Sequence, residues 1–142
     1  MARILLIDDR RVFIDRARAL LHSDGHELIE ASDALAGLHR AVEDAPDCIV
    51  VDLDLAGLDG LEICRQLARG ESTRGLPVVV WGAASAAQTG PLARRAGAFA
   101  YVDRERTPGA LRGSVRSALR DSTPIRTAKA VYPSVRPASR RA

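Results

Sequence analysis

Short, uninterrupted apolar runs recur along the chain, each closed by a charged or glycine-bearing turn. Between them, apolar residues return every third or fourth position. Runs of about four with no polar alternation predict strands covered on both faces, as in a parallel sheet, and the wider spacing predicts helices. The strands fall at Ile4 to Ile7, Leu28 to Ala31, Cys48 to Asp52, Val78 to Trp81 and Phe99 to Val102. In the first helix Phe13, Ala17, Leu20 and Leu21 recur at helical spacing, and Asp24-Gly25 stops it. Ser32 or Asp33 caps a second helix, whose Leu35, Leu38 and Val42 share one face. Leu61, Cys64 and Leu67 or Ala68 turn the third helix to the core. The segment from Gly82 to Gly90 gives a helix no strong start, so the fourth is expected from Pro91, a residue suited to the first helical position. Pro108 opens the last, with Leu111, Val115, Ala118 and Leu119 inward. Alternating strands and helices imply right-handed crossovers and an α/β, three-layer, doubly wound parallel five-stranded sheet.

Length and composition narrow this further. A chain of 142 residues, 46% apolar and 27% charged, suits one domain with a real core. No apolar run approaches the roughly 18 residues that cross a bilayer, and no signal-peptide pattern follows Met1. A cytoplasmic protein without a membrane span is expected. From Ser122 onward Pro, Ser, Ala and Arg dominate and periodicity vanishes, which predicts a domain over residues 1–121 and a disordered basic tail over 122–142. All 18 acidic residues precede that tail, which holds five of the 21 basic ones, so the tail makes the protein basic. It is too short for a DNA-reading module, so no sequence-specific nucleic-acid contact is expected. Cys48 and Cys64 read as small core residues, and His22, His26 and His39 fall singly in different elements.

The carboxylates carry the chemistry. Asp8 and Asp9 close the first strand and Asp52 closes the third. These strands are neighbours in most five-stranded doubly wound orders, which gathers three carboxylates at the edge where such sheets bind ligands. One such Asp is often only a helix cap or loop anchor, but three repel unless a cation or protons compensate. Mg2+, a hard ion bound by carboxylates, water and phosphate, fits the role. A carboxylate beside it can take up a phosphoryl group as an acyl phosphate.

The chain resembles the receiver domains of two-component response regulators over about residues 2 to 120. The resemblance rests on IDD at the end of strand one, PDCIVVDLDLAGLDG around Asp52, LPVVVWGA in strand four and GAFAYVDR in strand five. It implies the flavodoxin-like strand order 2-1-3-4-5. It also implies that Asp8 and Asp9 hold Mg2+ together with Asp52 and the backbone carbonyl of Asp54. Asp52 would accept a phosphoryl group from a histidine kinase or phosphotransfer protein. Tyr101 would be the aromatic that swings inward on activation, and helix four, strand five and helix five would meet a downstream protein partner.

Two positions depart from the family pattern. Gly82 stands where a Ser or Thr bonds the phosphoryl group, and Arg104 stands at the phosphate-pairing position of a lysine. A hydroxyl bond to a charged group is worth roughly 1.5 to 3 kcal/mol, so its loss weakens the coupling to Tyr101. Arg104 either clamps a phosphoryl group or salt-bridges Asp52. The expected function is that of a stand-alone, non-enzymatic, single-domain response regulator in a phosphorelay, signalling by protein contact. The alternatives are a phosphorylation-independent binding module of the same fold and a haloacid dehalogenase-like phosphatase using the DxD pair Asp52 and Asp54.

Overall fold

An apolar strand with no polar face is stable only where both of its faces are covered. The computed structural model meets that condition for the central strands. It describes the backbone of residues 1–131 and the side chains of residues 1–121. The elements are β1 (Arg3–Ile7), α1 (Arg11–His22), β2 (Glu27–Ala31), α2 (Ala34–Glu43), β3 (Cys48–Asp52), β4 (Asp54–Leu55), β5 (Leu58–Asp59), α3 (Gly60–Arg69), β6 (Val78–Gly82), α4 (Ala86–Arg95), β7 (Ala100–Asp103) and α5 (Ala110–Val131). The parallel sheet runs β2-β1-β3-β6-β7. This is the expected 2-1-3-4-5 order, because β4 and β5 form only a separate two-stranded ladder. Among the described residues no helix is long and apolar enough to cross a membrane.

Strand alternation divides the core in two. Leu5, Ile7, Ile49, Val51, Val78 and Val80 point to the side of α2, α3 and α4. Ile4, Leu6, Cys48, Val50, Val79 and Trp81 point to the side of α1 and α5. The same parity governs β7, where Tyr101 packs on the first cluster and Val102 belongs to the second. Cys48 and Cys64 are both buried, and burial pushes the Cys64 thiol up to about 11.

Two expectations are corrected. Leu35 and Val42 lie outside, at 80% and 51% exposure, and α2 instead buries Gly37 and Ala41. A Cβ at Gly37 would come within 2.6 Å of Ile7, so the small residues set the packing distance and the large ones are turned out. Helix α4 starts at Ala86 rather than Pro91, because the Ser85 hydroxyl accepts the Gln88 N–H and caps it. Pro91 therefore lies inside the helix, where the carbonyl four residues earlier loses its donor. Helix α5 is drawn over Ala110–Val131, which takes in the first residues of the expected tail. The rest of the expected tail, residues 132–142, lies outside the described residues.

Candidate functional site

The sheet's carboxyl edge gathers what the sequence placed at three strand ends. Pairing of β1 with β3 in register Ile7 to Val51 sets Asp8 beside Asp52. Both aspartates are fully buried, and Asp9 is half-buried at the rim. Each of the three offers a carboxylate oxygen within 4.8 Å of the other two. Backbone amides take up one oxygen of each. Arg10 N–H donates to Asp8 Oδ1 at 3.0 Å, Ala56 N–H to Asp9 Oδ2 at 2.9 Å, and Asp54 N–H to Asp52 Oδ1 at 3.0 Å.

The other oxygens, Asp8 Oδ2, Asp9 Oδ1 and Asp52 Oδ2, are buried and have no hydrogen-bond partner among the described residues. Three anionic oxygens left open towards one small space suit a hard divalent cation that keeps several waters. Without a cation the repulsion is relieved by a proton. Burial first, opposed by the Arg10 N–H and reinforced by the neighbouring Asp52, pushes the Asp8 carboxyl from 3.8 up to about 7. Asp54 itself begins β4, with its side chain exposed. The β4–β5 turn passes through Gly57 at φ 75°, a left-handed conformation that glycine adopts without strain.

Arg104 answers one of the two alternatives that the sequence left open. It is 1% exposed, and its Nη1 donates to Asp52 Oδ1 at 3.2 Å. Its guanidinium carbon lies 3.6 Å from the centre of the Phe13 ring and 5.6 Å from that of Trp81. The salt bridge is therefore the arrangement present, and it is held by stacking that a lysine's compact ammonium cannot reproduce. Phe13 also carries Arg10 and Arg16, each 5.6 Å from its centre.

Gly82 occupies the opposite side of the same edge. A Cβ built there would stand 2.7 Å from Leu53 Cβ and 3.1 Å from both Leu53 Cδ2 and the Tyr101 hydroxyl. The volume of a switch side chain is thus already filled. Tyr101, half-buried, donates its hydroxyl to the Ala84 carbonyl at 2.7 Å. Burial first, and then Asp103, pushes that phenol up to about 12.

All the site residues named from the sequence lie around this edge, but their partners were missed. Phe13 looked like one more core position of α1, and Ala84 fell in the segment from Gly82 to Gly90 that gives a helix no strong start. The usable signal was Arg104 itself, since a cation at the exit of a buried strand needs an anion and a flat surface nearby.

Known proteins resemble this chain over most of its described length. The family model described as the response regulator receiver domain matches residues 4–116. The protein PilH of Pseudomonas aeruginosa is 32% identical over 80 residues, which are 56% of this chain and 66% of PilH. The response regulator MprA of Mycobacterium leprae is 32% identical over 130 residues, 91% of this chain and 56% of that protein. The chain thus spans less than two thirds of either relative. A response regulator receiver domain protein from Clostridium thermocellum superposes with a TM-score of 0.77 at 26% identity, covering 88% of this chain and 99% of that one.

Proposed function

The chain belongs to the response regulator receiver family, and we propose that it accepts a phosphoryl group on Asp52 from a phosphohistidine of a kinase or phosphotransfer protein. The observation that carries this reading is the state of the Asp52 carboxylate. Oδ1 is engaged by the Asp54 N–H and Arg104, while Oδ2 is buried without a partner. The Asp52 carboxylate is the nucleophile: one of its oxygens bonds to phosphorus as the donor's P–N bond breaks, and the histidine leaves with its electron pair. Receiver domains bind Mg2+ at an acidic pocket. Here Asp8, Asp9, Asp52 and the Asp54 carbonyl would hold it, and when bound it neutralises charge on the transferring group. Arg104 keeps Asp52 oriented and supplies the nearest fixed positive charge. In this reading the chain is a phosphoacceptor that signals by protein contact.

One observation favours a second reading, a binding module of fixed conformation. With the space beside Gly82 filled and Tyr101 bonded to Ala84, that face has a stable arrangement without phosphate. The test is incubation with a small acyl phosphate and Mg2+, comparing wild type with Asp52→Asn on a phosphate-retarding gel. A retarded band that disappears in the variant supports the acceptor; no Asp52-dependent band favours the fixed module.

A further inference from the structure

Strand parity separates the two side chains that can sense Asp52. Tyr101 packs on the α2, α3 and α4 side of the sheet. Arg104 reaches across the other side, to Phe13 of α1 and Trp81 of β6. Of these two, Arg104 bonds the acceptor, at 3.2 Å. The hydroxyl that would connect the acceptor to Tyr101 has no room, because Leu53 stands against Gly82.

We infer that the state of Asp52 is read out through Arg104 and Phe13 into α1, and that Phe13 is the positioning residue which holds the guanidinium in its resting place. The inference rests on Asp52 being the phosphoacceptor. An acyl phosphate replaces the carboxylate's charge with a group bearing about two negative charges and displaced outward from Asp52. A guanidinium pairs best with such a group through two parallel donors. In the resting site Nη1 is the atom that bonds Asp52, and Nε is buried with no partner among the described residues. Turning the fork towards a phosphoryl group engages that idle donor and draws the guanidinium off the Phe13 face.

Phe13 does not stay indifferent to the change. Arg10 and Arg16 approach the same ring from 5.6 Å each. Departure of Arg104 frees a ring face and removes a like charge, so the N-terminal turns of α1 resettle. Trp81, fully buried and 5.6 Å from the Arg104 guanidinium, reports the same motion by fluorescence.

The experiment uses the full chain with Mg2+ and beryllofluoride as the phosphoryl mimic. Tryptophan emission and amide hydrogen exchange are followed in wild type, Phe13→Leu, Phe13→Tyr and Asp52→Asn. In wild type the mimic shifts Trp81 emission and changes exchange in α1 at least threefold more than in α4. Phe13→Leu, which keeps an apolar side chain and loses the ring, abolishes the α1 response. Phe13→Tyr restores it, and Asp52→Asn responds nowhere. A response confined to α4, or an α1 response that survives Phe13→Leu, overturns the inference. The acyl phosphate gel separates the two levels of failure. A labelled Asp52 with α1 silent defeats this route alone, and an unlabelled Asp52 defeats the acceptor reading and the route together.

Discussion

Replacing Gly82 by alanine adds one methyl group where the structure has no room for it. The new Cβ would stand 2.7 Å from Leu53 Cβ, far inside the optimum of about 3.5 to 4.0 Å for two carbons. Leu53 Cβ is anchored to the backbone, so rotating the side chain does not relieve the contact. Overpacking of this kind costs about 1 to 3 kcal/mol. Gly82 is not in the left-handed region, so alanine recovers about 0.4 to 1 kcal/mol from the unfolded chain's entropy. A net loss on the order of 1 kcal/mol follows, read by urea denaturation or as a fall of about 4 °C in Tm. The cycle with Leu53→Gly isolates the cause. If Leu53 is the obstacle, the double variant is more stable than the sum of the singles by about 1 to 3 kcal/mol. If Gly82→Ala is as stable as wild type, or the two costs simply add, the site is not filled. A switch hydroxyl would then fit beside Gly82.

Arg104→Met keeps the stem and removes the charge, which leaves buried Asp52 unpaired. Metal-free stability should fall by about 3 to 5 kcal/mol and largely recover when Asp52→Asn is added; urea titration of the two variants checks this, and a loss below about 1 kcal/mol contradicts the pairing. The Asp8 carboxyl gives a pH dependence of definite sign. Its folded value of about 7 lies above the ordinary 3.8, so between these values the folded protein holds a proton that the unfolded chain has released. Stability from this group is complete at low pH and is lost as pH rises through about 7. In chelator, Asp8→Asn should flatten the decline in Tm between about pH 4 and about pH 7; parallel profiles for variant and wild type would refute the assignment.

The sheet was legible because buried parallel strands leave an unmistakable pattern: Ile4 to Ile7, Cys48 to Val51 and Val78 to Trp81 admit no exposed face. The carboxylates were legible because they close those strands. What the pattern could not rank was packing distance. Helix α2 reads as if Leu35 and Val42 were its core, yet Gly37 against Ile7 brings the axis so close that the larger side chains have no place beneath it. The start of α4 was hidden by composition, since Ser85 is one small polar residue among several and becomes a cap only through its extended backbone, φ −66° and ψ 143°. Arg104 was visible as an anomaly, but its ring partner lies on an element far away in sequence. Gly82 read as a missing hydroxyl; only the coordinates show that Leu53 has taken its space.

The stacked guanidinium of Arg104 also changes what the pocket can react with. An acyl phosphate is an acylating agent, and a primary amine held against it is a nucleophile. A guanidinium is not, and it keeps its charge at alkaline pH where an ammonium, near 10.4, is lost. The chain's single lysine is Lys129, so residues 1–121 offer no side-chain amine at all. Acetylation and other lysine-directed modifications therefore have no purchase on the receiver's chemistry, and amine-coupled dyes or surface-immobilised preparations leave the acceptor pocket untouched.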